Sequence, residues 1–216
     1  DAKVLLSESK IGDLTIIALG ESNLVLSKTP FIHGSLNLRE ASTLTTANCS
    51  FESTEIICKG TTHFTSKEDM FTGIIPVALA TSGSSIVDIN GTKFVKIGGV
   101  GILNIQNSAI NIRNSTFEST KGTSIISTAQ MTVTNSIILN SESLGVLIDG
   151  SSNFKMRDSK VGGCKLSGIE IRSTEQAEFS TSSVENCDQF GLFVKSSIAS
   201  FTSFNISTCK AYGVSL

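Results

Sequence analysis

The densest grouping of acid–base side chains lies in the last third of this sequence. Asp149, Arg172 and Lys195 follow one another at intervals of 23, and Glu170 stands two residues before Arg172. Two carboxylates roughly 5–10 Å apart across a cleft are the equipment of glycoside hydrolysis. Opposite charges one step apart on a flat face instead make a salt-bridge ladder, which does no chemistry. His33 and His63 are the only histidines, and neither falls in register with a Ser or Cys that it could activate. No Gly-x-Ser-x-Gly, Walker, His-Glu-x-x-His or EF-hand pattern occurs, so no catalytic residue, cofactor or metal is expected. Cys164, Cys187 and Cys209 recur at 23 and 22, and with Cys49 and Cys58 they make an odd count. At least one thiol is therefore unpaired within the chain.

Composition narrows the partners. The chain has 216 residues and a formal net charge of −2, without a Lys/Arg cluster, which excludes a basic nucleic-acid footprint. No apolar run approaches the roughly 18 residues of a membrane helix. Ser and Thr together number 56. Four acceptor patterns for N-glycosylation, at Asn48, Asn90, Asn114 and Asn205, are compatible with secretion, but so many sequons arise by chance at this composition. An extracellular or cell-surface location is expected, with an intracellular one left open.

The elements that must position these residues repeat. Gly145, Gly168, Gly191 and Gly213 are spaced by 23, 23 and 22, and each precedes an alternating apolar pair such as Val146 and Ile148. Ile138, Val161, Val184 and Ile206 form a second column, and Ser141, Cys164, Cys187 and Cys209 a third. An apolar–polar–apolar triplet runs Leu14–Ile16, Leu36–Leu38, Thr62–Phe64, Val87–Ile89, Ile110–Ile112, Met131–Val133, Phe154–Met156, Ala177–Phe179 and Ala199–Phe201. Alternation over three to five residues is a strand pattern, and the intervening Asn, Gly, Ser and Asp are turn formers. Propeller blades need about 40 residues, and the leucine-rich framework is missing. The remaining solution is a chain coiled so that each strand lies parallel to its equivalent one turn later.

This pattern of Asn-Ser-x-Ile/Phe followed by Ser/Cys and Gly-Val/Ile-x-Ile resembles the right-handed parallel β-helix superfamily, the pectate-lyase-like fold, from Leu14 to Leu216. The resemblance implies an all-β solenoid of about nine turns of 21–26 residues, a single segment over 1–216 with an irregular stretch at 58–83. It also implies a choice of roles, because lyases, hydrolases, adhesins and spacers share the fold. His33-Gly34 is similar to the His-Gly pair of polygalacturonase-like enzymes, yet their Asn-Thr-Asp and Asp-Asp elements are missing. Lyases of the fold gather acidic residues around Ca²⁺ with an Arg or Lys as base, and Asp149, Glu170, Arg172 and Lys195 are the nearest equivalent here.

The leading expectation is a non-enzymatic structural or interaction segment. Its partner is a protein or glycan surface, further β-helix turns, or a second copy end to end. The alternative is a polysaccharide lyase, glycoside hydrolase or carbohydrate-binding β-helix whose cleft loops come from 58–83, where Glu68 and Asp69 lie. The column Glu142, Lys165, Asp188, Lys210 alternates in sign, as do Lys155–Glu178 and Asp149–Arg172, and each predicts lateral pairing. Leu147 and Phe193 share an outward column with Glu170 and form a candidate partner surface. The three stacked cysteines are expected to be buried, reduced and unreactive, and Arg172→Ala to cost little stability.

Overall fold

The computed structural model describes residues 2–150 and 153–216, and every regular element in it is a β-strand. Ten parallel strands, from Lys3–Ser7 through Asn23–Ser27, Thr43–Ala47 and His63–Lys67 to Ala199–Thr202, form one face of a rod. The other strands form the second and third faces, so the expected nine or so turns are met by ten. Along the first face, Val4, Leu24, Leu44, Phe64, Val87, Ile110, Met131, Phe154, Ala177 and Ala199 are equivalent. The steps between them are 20, 20, 20, 23, 23, 21, 23, 23 and 22.

That list corrects the sequence reading of the first turns. Leu14–Ile16 and Leu36–Leu38 belong to the strands Ile11–Ala18 and Pro30–Leu38 on the other faces, and Phe64–Ser66 replaces Thr62–Phe64. Residues 58–83 are also regular, with the strands His63–Lys67, Met70–Thr72 and Val77–Thr81 in register with their neighbours. What changes there is one corner. Ser50 pairs with Met70 and Ile56 with Leu79, so three residues are added between the second and third faces. Before that point, Ile11–Ala18, Pro30–Leu38 and Ser50–Cys58 each span both faces, bending at a single left-handed residue, Asp13, His33 or Ser53.

The interior is a set of like-on-like stacks. Phe31, Phe51, Phe71, Phe94 and Phe117 stack ring on ring, with centroids 5.5, 4.7, 4.7 and 4.5 Å apart. Ile138, Val161, Val184 and Ile206 continue the column in register. The recurring glycines face this column. A Cβ on Gly168 would come within 2.3 Å of a Val184 methyl, 2.9 Å of the Gly191 carbonyl and 3.0 Å of the Cys187 sulfur. Glycine, valine and cysteine recur together because each glycine vacates the space that the next turn's valine and cysteine fill.

The serine excess has a structural use at the corner between the first and second faces. Ser115, Ser136, Ser159 and Ser182 are buried there, each donating its hydroxyl to the carbonyl two residues back at 2.7–2.9 Å. Each also accepts the backbone N–H of the preceding turn's equivalent residue at 3.1–3.2 Å. A short hydroxyl thus satisfies two backbone groups that a tight corner would leave orphaned. Asp69 takes this position in its turn. Its buried carboxylate accepts the Cys49 N–H at 2.8 Å, the Ser66 hydroxyl at 2.7 Å and the Thr46 hydroxyl. Burial pushes its carboxyl above the usual range, and the hydrogen bonds from Thr46, Ser66 and Cys49 oppose that shift.

Candidate functional site

The third face carries the four charged residues singled out from sequence. Asp149 pairs in register with Arg172, and Arg172 with Lys195, so the column is real. The ladder expected along it does not form. Arg172 turns instead to Glu170 on its own strand, its guanidinium 2.5 Å from Oε2, and Ser167 donates to Oε1 at 3.1 Å. Glu170 is only 8% exposed, and a carboxylate largely removed from water holds its cation more tightly than the half-buried Asp149 can. Asp149 and Lys195 make no ion pair among the described residues. Glu170 also stands between Leu147 and Phe193 in their shared column, so those two do not form one continuous apolar patch. Phe193 packs 5.7 Å from Phe190 instead, which stacks on Tyr212 at 6.0 Å.

Three of the other expected pairs form, while Lys165 and Asp188 make no ion pair with each other. Lys165 and Glu142 lie 3.5 Å apart, Lys210 and Asp188 2.8 Å, and Lys155 and Glu178 3.2 Å. The cysteines follow one another at the corner between the second and third faces. All five are free thiols; Cys164 and Cys187 are buried, and Cys209, near the end of the rod, is half-buried. The hydrogen bond to the neighbouring Cys164 thiol, and then burial, push Cys187 well above the ordinary thiol range, and burial pushes Cys58 up to about 12. These are poor nucleophiles at neutral pH. His33 lies on the bend beside Asp13, at 3.8 Å, and His63 faces outward from the first face.

The same corner also holds a groove that the sequence reading missed. About 540 Å³ in volume, it is lined by Lys96, Ser119, Lys121, Asn140, Ser141, Glu142, Gly163 and Lys165. Lys165 is paired with Glu142, whereas Lys96 and Lys121 are exposed and make no ion pair among the described residues. Lys96 occupies the left-handed bend position of its turn, φ 53°. Lysine at such a position carries no sequence signature. Lys121 was legible, standing 21 residues before Glu142 and extending the alternating column by one member. The groove presents two ammonium groups without ion pairs among the described residues, beside hydroxyl and amide groups, a set whose chemistry suits anionic, hydroxyl-rich ligands.

Three parallel faces wound around stacked side chains define a parallel β-helix. Residues 75–216 match the family model of the right-handed beta helix region, and the chain belongs to that family. Compared by sequence, no curated protein matches it. Among solved structures it is similar to the tailspike protein of an E. coli bacteriophage in complex with a pentasaccharide, with a TM-score of 0.56 at 10% identity. That likeness covers 95% of this chain and 50% of the tailspike. It is similar to the A-module of a mannuronan C-5 epimerase from Azotobacter vinelandii, TM-score 0.56 at 10% identity, covering 97% and 71% of the two chains. A surface adhesin of Streptococcus pneumoniae gives a TM-score of 0.50 at 9% identity over 99% and 85%. At such identities the likeness is one of fold alone. No helix among the described residues is long and apolar enough to cross a membrane.

Proposed function

We propose that this chain is a non-enzymatic β-helical interaction rod that binds an acidic glycan along its side. The observation that carries the reading is the groove between the second and third faces, where Lys96 and Lys121 make no ion pair among the described residues. Exposed ammonium groups on a rigid scaffold attract a polyanion, and the turn spacing of about 4.8 Å lets successive turns meet successive sugars. Similar solved structures include one holding a pentasaccharide and one named as a surface adhesin, which agrees with a glycan partner and an extracellular or cell-surface setting.

An enzymatic role finds less support. The stretch 58–83 folds into the rod and supplies no cleft loop, and Asp69 is sealed beneath the surface. Glu170 is held by Arg172 and Ser167. The test is calorimetry with acidic and neutral oligosaccharides at two salt concentrations. Binding of the acidic ligand, weakened at least tenfold by K96E/K121E and by high salt, supports the reading. Equal binding of neutral ligands, or no loss in the double variant, overturns it.

A further inference from the structure

The first face carries a second polar concavity, about 280 Å³, formed by three consecutive turns and lined by Thr65, Lys67, Asp88, Asn90 and Arg113. At its centre Asp88 accepts a hydrogen bond from the Asn111 amide at 3.0 Å. Two groups face it without closing on it: the His63 ring, whose Nε2 lies 3.6 Å from Oδ2, and the Arg113 guanidinium, 3.9 Å from Oδ1. Lys67 has no ion-pair partner among the described residues. Elsewhere on the rod the Lys–carboxylate pairs lie at 2.6 Å for Lys160–Glu185, 2.8 Å for Lys210–Asp188 and 3.5 Å for Lys165–Glu142, so the contacts at Asp88 are the longer kind. Around Asp88 the His63 and Arg113 separations exceed a direct hydrogen bond, and Lys67 lines the same concavity without an ion pair among the described residues, so donors are left for a ligand. Beside His63, Ile86 occupies the paired position on the next turn and is 45% exposed, an apolar ledge at the rim.

We infer that this first-face concavity is a binding site for a single sugar unit bearing an acidic substituent, separate from the lysine groove and independent of it. The chemistry divides among the residues. Arg113 offers a planar fork for a carboxylate or sulfate, with Lys67 as a second point charge. Asp88, held by Asn111, accepts hydrogen bonds from neighbouring sugar hydroxyls. Ile86 and the His63 ring supply apolar surface for the C–H face of the ring. A site for a bare anion would have no use for a carboxylate at its centre; a site for a polyol with one negative group needs both signs.

That contrast sets the experiment. The full chain, labelled with ¹⁵N, is titrated with methyl glucuronide, galactose 6-sulfate, methyl glucoside and inorganic sulfate, following the His63 ring and Arg113 Nε signals. At least one acidic sugar should bind tenfold or more tightly than the neutral glycoside, and the better of the two identifies the substituent. In D88N, which keeps the side chain's shape and removes its charge, the acidic sugar should bind at least fivefold more weakly while inorganic sulfate binds more tightly. R113A should weaken both, with R113K recovering only part of the loss, and K96E/K121E should leave the titration unchanged. Equal binding of methyl glucoside, no shift of either signal, or stronger acidic-sugar binding in D88N would overturn the assignment. All these residues are exposed or half-exposed, and unchanged circular-dichroism melting confirms that the variants are folded.

Discussion

The first three turns and the later ones solve the same geometric problem in different ways. Early on, a 20-residue turn rounds the second corner on one left-handed residue, and the same strand covers two faces. Later, with 21 to 23 residues, the strand breaks in two and the corner acquires a short loop, as between Thr116–Glu118 and Ile125–Ser127. The core column changes later than the corner does: the phenyl stack runs from Phe31 and Phe51 on into the first expanded turns at Phe71, Phe94 and Phe117, and Ile or Val on glycine and cysteine takes over from Ile138. The lysine groove lies at the expanded corners, because only there does the chain leave the sheet far enough to wall one in. Added corner length makes room for the lysine groove, and the early turns, with their one-residue bends, have no such room.

The sharpest way to break this comparison is to put a charge into the later column. Val184 is fully buried between Val161 and Ile206. Val184→Asp buries an unpaired carboxylate and should cost more than about 4 kcal/mol. Expression without cooperative unfolding is the expected result; a soluble variant with an unchanged Tm would contradict the register. In the phenyl stack Phe71→Ala removes the middle ring of five and should cost about 3–5 kcal/mol by denaturant unfolding. A loss below about 1 kcal/mol would mean that the stack does not hold these turns together.

Arg172→Ala comes next, and here the structure revises the sequence expectation upward. Arg172 neutralises a largely buried Glu170, so its removal leaves that carboxylate with Ser167 alone. A loss of about 1–3 kcal/mol is expected, against at most about 1 kcal/mol for an exposed ladder pair. Its recovery in R172A/E170Q would confirm the cause. The smallest effect concerns Asp69, whose carboxyl is raised by burial. A group raised in the folded state stabilises most below its unfolded pKa, and that contribution is lost as pH rises through the folded pKa. Relative to Asp69→Asn, the wild type should therefore gain stability as pH falls from neutrality toward about 4. A difference that is flat or of opposite sign would place Asp69 in a wetter site.

Legibility followed the same division. The later columns of Gly, Val and Cys were readable because one residue type recurs at each position, and steric demand from the next turn forces the choice. The early turns misled because their period is 20, and Leu14–Ile16 and Leu36–Leu38 sit on another face with the same alternation. The bend position was invisible: Asp13, His33, Ser53, Lys96, Ser119, Asn140, Asn186 and Thr208 all adopt left-handed φ there. Hydrogen bonding from the turns above and below over-determines that conformation, so side-chain chemistry does not mark it. The pairing of Arg172 was likewise hidden, since alternating charge ignores how deeply Glu170 is buried. His63 and Asp88, outward on adjacent turns, form a signal that the sequence carries only when the two turns are set in register.

The central claim is recognition without bond cleavage. Its most direct test incubates the purified chain with acidic polysaccharides, with and without Ca²⁺, and follows retention on the polymer together with new reducing ends and unsaturated products. Salt-sensitive retention with both product signals at the level of the protein-free control is the predicted result. Sustained product formation that Asp149→Ala abolishes would contradict it and make the third face a catalytic site.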